Sequence, residues 1–442
     1  MYSPNATNPV MLFIISGFGR AYHYLGILMS IIGDMLFETH PSYFVLGFIF
    51  SVFAGIIWIS VKYPFWNAQP VFHTYDFWRG FAWDTNPYII QKIPTKTRYY
   101  DKTGGVKTVR WDNISRATIQ KMLILVNSYL IPSDRILLDM QEAEWTANFD
   151  ADTVVSILRG QTSEIDKDIV GLITSRPVLS RIGTHETQLK YVDYLTVSRD
   201  SKPDASKMLF STHEYNVRLF DIGLGNKQTA SLIKGGEYVG VVPFIKYELV
   251  QYHMDKLAPW ALPIMPNHIQ VVSCVAQSGV GKKRKYENTD ILNDFAKSFM
   301  ELPMFDVKIW PGLPALLRQF SAGALQMYAL RSYGNVLAIY FMRNARTYYE
   351  ELDGANTLEC VASVCLTEDR ELFYGGFLLS IRESINKQMY GVLSVPGIGH
   401  NVFLNAALPK KDVMLRSPSE YILHNMVAPK SPYSPERTII IL

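Results

Sequence analysis

The residues best suited to chemistry fall in one stretch, residues 169–218. The order there is apolar strand (IVGLITSRPVLSRI), turn, strand (YVDYLTV), short polar loop and helix (SKPDASKMLFSTHEYNVR). A strand that stops at a small-residue loop opening a helix gathers several backbone N–H groups and the positive end of a helix dipole in one place. Such a place suits a diphosphate. The cradle is expected over Ser201, Lys202, Asp204, Ala205 and Ser206, with Lys202 adding charge. Two features oppose it: Pro203 has no N–H to give, and Asp204 brings a negative charge toward the same phosphates. Weak or altered cofactor affinity is one expectation, and an ordinary capped helix start is the competing reading.

Other signals of this kind fail on inspection. SGVGKK at 278–283 has Ala276 where a P-loop needs its first glycine and Lys283 where it needs Ser or Thr. The run Lys282, Lys283, Arg284, Lys285 reads as a solvated loop, with contact to anionic headgroups as the alternative. His213 and Glu214 begin like HExxH, but Val217 stands where the second histidine belongs, and surface positions are expected for both. There is no GxSxG elbow. Cys274, Cys360 and Cys365 are too few and too unevenly spaced for a disulfide framework or a CxxC zinc site, so packed thiols in a reducing compartment, and no metal, are expected. A net charge of +3 with 19% charged residues lacks the basic excess of a nucleic-acid-binding domain.

The elements that must position the strand, loop and helix can be read along the chain. A length of 442 residues fits two globular units plus an extra segment. Residues 43–61 run for 19 positions without a charge before Lys62, long enough to cross a hydrocarbon core of ~30 Å as a helix. Residues 10–37 are also apolar but broken by Arg20, His23 and Asp34, which leaves a second span, a re-entrant piece or an interfacial helix open. Lys62, Arg79, Lys92, Lys96 and Arg98 follow the span and Arg20 precedes it, which places the large C-terminal part in the cytoplasm. A cleaved signal peptide is disfavoured because no basic n-region leads the apolar run. An aromatic, proline-rich arm without period follows and is expected to lie extended over the next domain.

Helices are predicted over residues 114–130 and 151–158, the latter capped by Asp150 or Asp152, ahead of the strand pair and its helix. The second half mixes strand-like 268–275, helical 289–300, strand-like 336–342, helical 371–387 and a strand-like end, 438–442. The pattern is α+β, divided as anchor 1–61, arm 62–100, first half 101–262 ending near Pro259, Pro263 and Pro266, and second half 263–442.

Five segments in register, ANFDADTVVSILRG, IVGLITSRPVLSRI, YVDYLTV with SKPDASKML, YPFWNAQPV and YILHNMVAPKSPYSPERTIIIL, together resemble the N-myristoyltransferases of the GNAT acyltransferase superfamily. The resemblance runs from Lys62 to Leu442, although residues 265–416 match no motif of the family. It implies two GNAT-like halves that use a long-chain, myristoyl-like acyl-CoA as co-substrate and a peptide or protein amine, such as an N-terminal glycine, as acceptor. It places the oxyanion-hole amides at Tyr194 and Leu195, next to Val197 in the strand that leads to the phosphate loop. Phe65, Trp66 and Gln69 of the arm would line the CoA or acyl chain; a packed aromatic strap is the alternative. The family's base is its own terminal carboxylate, here Leu442, which the apolar ending would carry inward. Asp193, where the family has asparagine, is placed to bind the ammonium or take over as base. Two rival readings remain: a catalytically silent, membrane-attached binding module, and a GNAT acetyltransferase with a small donor.

Overall fold

The computed structural model describes residues 41–442 apart from 77–85, 132, 134, 161–168, 226–228, 255, 257–264, 277–284, 287, 288, 353 and 387. The apolar segment 10–37, the P-loop-like hexapeptide, Lys282, Lys283, Arg284, Pro259 and Pro263 therefore lie outside the described residues. The chain divides into two compact units, Met1–Pro64 and Phe65–Leu442. In the first, helix α1 (Pro41–Lys62) contains Val45–Lys62, the one helix among the described residues long and apolar enough to cross a membrane.

The second unit is built on a sheet of 15 strands. In chain order these are β1 (Val106–Arg110), β2 (Ile136–Leu138), β3 (Val154–Arg159), β4 (Ile169–Ile182), β5 (His185–Val197), β6 (Ser231–Gly235), β7 (Ile245–His253), β8 (Ile269–Ser273), β9 (Val307–Trp310), β10 (Gln326–Ser332), β11 (Asn335–Tyr349), β12 (Ala355–Cys365), β13 (Val392–Pro396), β14 (Val413–His424) and β15 (Thr438–Ile440). The helices are α2 (Arg116–Tyr129), α3 (Glu142–Thr146), α4 (Ala205–Gly223), α5 (Thr289–Ser298), α6 (Leu313–Ala322), α7 (Arg370–Ile385) and α8 (Asn401–Ala407). The strand order is β15-β9-β4-β5-β6-β14-β7-β13-β12-β11-β10-β8, with β3 and β1 continuing from β4 and β2 beside β11.

The order hides a repeat that the sequence does not display as a period. β3, β4 and β5 run antiparallel, α4 follows, and β6 pairs parallel with β5; β10, β11, β12, α7 and β13 do the same. Each parallel contact lasts three residue pairs, Lys190↔Ser231 to Val192↔Ile233 in one half and Thr357↔Val392 to Glu359↔Ser394 in the other. Strands β14 and β7 join the halves edge to edge. The halves therefore share one sheet and are not separate domains.

Most elements follow the sequence pattern. Helix α2 is capped by Ser115, whose hydroxyl accepts from the Thr118 N–H at 3.3 Å, and Met122, Leu125 and Val126 form its buried stripe. Residues 151–158, expected as a helix, are instead the turn 151–153 and most of β3. Asp150 closes a turn by accepting from Thr153 Oγ1 and Asp152 N, and the following VVSIL is buried between β1 and β4. Stiff β-branched side chains fit that two-sided burial better than a helix surface. The arm is not extended throughout: Pro64–Asn67 makes a helical turn. It sets Phe65 against Tyr99 and Phe210, and Trp66 against Phe210 and Tyr238.

Candidate active site

The site forms where β5 and β6 part. Past Val192↔Ile233 their pairing ends, and in the same place Ile173 of β4 stands opposite both Tyr194 and Leu195, a bulge that puts Tyr194 at φ 53°. A bulky residue held at positive φ costs roughly 1–3 kcal/mol and persists where its surroundings fix it. Here the buried Tyr194 ring packs edge-on against Trp145 and Phe149. The bulge redirects the backbone toward the wedge between the strands, and Leu195 is 41% exposed there.

Two cavities meet at this point. One, of about 400 Å³, lies in the wedge between Phe65, Trp66, Leu195, Ser206, Ile233 and Tyr238. The other, of about 360 Å³, runs under the junction of the halves, past Arg176, Tyr247, Arg343, Glu359, Tyr421 and Leu442. Tyr191, Asp193, Tyr194 and Lys234 border both. A third cavity, of about 780 Å³, lies beyond the start of α4 between Ile124, Leu125, Leu158, Ile169, Val170 and Met208, with Ser201, Lys202 and Ala205 on its wall.

Charges are distributed unevenly around the inner cavity. Arg343 is held by Glu359 through Nε at 3.0 Å and Nη2 at 2.7 Å, and its Nη1 donates to the Leu442 main-chain oxygen at 3.0 Å. Burial pushes the Glu359 carboxyl up, but Arg343 and Lys234 outweigh it and hold the group below the usual range. Asp193 is the opposite case. Burial raises its proton affinity, and neither Arg176, 3.9 Å away, nor the Tyr194 N–H, which donates to Asp193 Oδ1 at 2.9 Å, restores it. Tyr191, Tyr194 and Tyr421 are neutral phenols, raised by burial.

The loop expected to cradle a phosphate, Ser201, Lys202, Asp204, Ala205 and Ser206, is partly closed on itself. The Ser201 N–H donates to Ser198 O and the Ala205 N–H to Lys202 O, so both amides are taken within the loop. The next residues, Ser206 and Lys207, lie in the first turn of α4, where amides lack intrahelical acceptors, and both line the wedge. Asp204 faces solvent and pairs with Lys207 at 2.7 Å, which offsets its charge. Gln69 lies outside these cavities, its amide donating to Ser211 Oγ and its oxygen 3.4 Å from His424 Nε2. Val197 pairs with Gly171 in the sheet.

His213 and Glu214 are not at the surface. His213 is fully buried between Ser156 Oγ (2.9 Å) and Ser175 Oγ (2.6 Å), and burial lowers its pKa to about 4. Glu214 accepts from Ser231 and meets His424 at 3.0 Å, and these partners hold it low against the opposing effect of burial. Cys274, Cys360 and Cys365 are buried free thiols. Sequence reasoning missed Arg176, Lys234, Arg343 and Glu359. The signal for two of them was present: Arg176 and Arg343 each interrupt an apolar run, IVGLITSR and NVLAIYFMR.

The sequence matches no family model and no curated protein. Its fold does match solved structures. For Saccharomyces cerevisiae N-myristoyltransferase with bound myristoyl-CoA and inhibitors the TM-score is 0.61 at 11% identity, covering 84% of this chain and 90% of that one. A structure of that enzyme with myristoyl-CoA gives 0.59 at 11% identity over 85% and 90%, and another 0.57 at 10% over 84% and 93%. The chain thus has the N-myristoyltransferase fold, and the two halves implied by the five sequence segments correspond to the repeat of β3–β6 and β10–β13.

Proposed function

We propose that the chain transfers an acyl group from a coenzyme A thioester to an amine, with the thioester in the wedge between β5 and β6 and the amine in the inner cavity. The observation that carries this reading is the meeting of the two cavities at Asp193 and the Tyr194 bulge. The first-turn amides of α4 and Lys202 would hold the diphosphate. Phe65 and Trp66 would cover the pantetheine. The 780 Å³ cavity is lined on one part by Ile124, Leu125, Leu158, Ile169 and Val170 and also by Tyr129, and the next residue, Leu130, borders the wedge, which supports a long acyl chain.

Asp193 is the base in this reading, ahead of Leu442. It borders both cavities and its proton affinity is raised by burial, as a base working near neutral pH requires. It accepts one proton from the entering ammonium; the nitrogen lone pair then forms the C–N bond at the thioester carbon. Amides of the bulge, Leu195 and Tyr194, stabilise the charge on the carbonyl oxygen, which requires Asp193 to release the Tyr194 N–H. The C–S bond breaks, and the departing thiolate takes the second proton from nitrogen, leaving amide and free CoA. The Leu442 main-chain oxygen, which accepts from Arg343, adds an acceptor on the same wall of the inner cavity.

The helix Val45–Lys62 supports attachment to a membrane, with Lys62 at its end and Lys92, Lys96 and Arg98 after it favouring a cytoplasmic body. The silent-relative reading draws on the Tyr194 N–H being held by Asp193 and on the closed Ser201 and Ala205 amides. Thermal unfolding of the full chain in detergent, with myristoyl-CoA and acetyl-CoA added separately, distinguishes the readings. Stabilisation by both, stronger with the long chain, is expected; stabilisation by neither overturns acyl transfer.

A further inference from the structure

Arg176 is 3% exposed on β4, yet its Nε and Nη1 have no hydrogen-bond partner among the described residues. Its third nitrogen, Nη2, stands 3.9 Å from Asp193 Oδ2, beyond hydrogen-bonding distance, and the guanidinium lies 5.2 Å from the centre of the Tyr191 ring. The other arginines of the inner cavity are filled: Arg343 by Glu359 and Leu442, and Arg346 by both oxygens of Glu144. A buried guanidinium with open donors is costly, because it has lost water and gained no protein acceptor. Such a group facing a cavity is a receptor for an acceptor-rich, negatively charged partner.

We propose that the acceptor carries an anionic oxyacid group next to its amine, in the first place the carboxylate of an α-amino acid, and that Arg176 binds that anion. This rests on the acyl-transfer reading and names its acceptor class. In an α-amino acid the ammonium and the carboxylate are separated by one carbon. The cavity offers a carboxylate and a guanidinium 3.9 Å apart, Asp193 and Arg176, so the ligand's two charges each meet the opposite sign. A volume of about 360 Å³ suits a small molecule. The first residue of a peptide carries a neutral carbonyl instead, which gives the open Arg176 donors no charged acceptor and leaves Asp193, drawn to the ammonium, as the only anion near the guanidinium among the described residues. A phosphate offers the same acceptor chemistry from a different source, with a longer distance to the amine.

The test is calorimetric binding of glycine, glycinamide and 2-aminoethyl phosphate to the full chain in detergent, with R176M alongside and acyl-CoA stabilisation measured on the same samples. Glycine is expected to bind at least ~10-fold more tightly than glycinamide, about 1.4 kcal/mol, and R176M to reduce that preference below about twofold while still being stabilised by acyl-CoA. Tighter binding of 2-aminoethyl phosphate than of glycine supports an anion site at Arg176 and replaces carboxylate by phosphate. Equal binding of glycine and glycinamide, or a preference that survives in R176M, overturns the proposal. If R176M does not fold, the glycine and glycinamide comparison on the unaltered chain decides alone. Selective glycine binding by a chain that no acyl-CoA stabilises contradicts acyl transfer and leaves the anion site standing.

Discussion

Replacing His213 by glutamine should remove a large part of the acid sensitivity of the fold. The imidazole is fully buried, with Ser156 Oγ on Nδ1 and Ser175 Oγ on Nε2. A neutral ring serves this pair well, donating to one hydroxyl and accepting from the other. A protonated ring must donate to both, and Ser156 also faces Thr108 Oγ1 at 2.7 Å, so the buried charge gains little in return. Burial accordingly lowers the pKa from 6.5 to about 4, with Lys190 acting the same way and Glu214 opposing. A base with a depressed folded pKa contributes stability that is fully present above its unfolded value and is lost as pH falls. The window here is pH 6.5 down to about 4, and at about 1.4 kcal/mol per decade the loss is about 3 kcal/mol. His400, likewise lowered to about 4 by burial, loses stability in the same range but does so in both proteins and cancels. Urea unfolding of the full chain at several pH values should therefore show the wild type losing about 3 kcal/mol more than H213Q across this window. Parallel curves for the two proteins would refute the assignment of a neutral buried imidazole.

Three further outcomes follow from the geometry. D193N should abolish acyl transfer while raising stability at pH 7, because a carboxyl whose folded pKa is raised gives up stability as pH rises and it ionises; in the wild type the acid limb of the rate profile should lie above the ordinary aspartate range, and a limb at that range would exclude Asp193 as base. Gly376→Ala in α7 would place a Cβ 2.6 Å from Tyr340 Oη and 2.9 Å from Leu330 Cδ2. Since that hydroxyl is fixed on Phe373 O, a loss of roughly 1–3 kcal/mol is expected in thermal melts, and an unchanged melt would contradict this packing of α7 on the sheet. Adding a few residues after Leu442 should fill the inner cavity and abolish turnover while acyl-CoA stabilisation persists; undiminished turnover removes Leu442 from the site.

Much of this architecture was legible because it is written in local pattern. The alternation and β-branching of residues 169–182, the capped apolar stripe of α2 and the apolar run ending at Leu442 each determine their own element. The misreadings arose where tertiary context decides. Val154–Arg159 is as apolar as a buried helix segment, and its burial on two sides by β1 and β4 makes it a strand. His213 and Glu214 look like surface polar residues on a helix. They are buried because α4 is covered by the sheet strands carrying Ser156 and Ser175 and also by β6 and β14, which bring Ser231 and His424 to Glu214. Of the loop expected over Ser201, Lys202, Asp204, Ala205 and Ser206, the Ser201 and Ala205 amides are taken because the loop closes on itself through Ser198 and Lys202, which leaves Ser206 with its neighbour Lys207 on the wedge. The inner cavity was the least legible part. Arg343 and Glu359 face each other as a cross-strand pair of β11 and β12, whereas Arg176 comes from the other half and reaches the same cavity because β14 and β7 join the two halves into one sheet.

The central claim is that an acyl group passes from a thioester in the wedge to an amine in the inner cavity at Asp193. Its most direct test is a single-turnover incubation of the full chain with a long-chain acyl-CoA and glycine at neutral pH, with free thiol and N-acyl product quantified together by mass spectrometry. The account predicts equimolar thiol and amide, both absent in D193N. Thiol release without amide, or amide formation that D193N leaves intact, would contradict it.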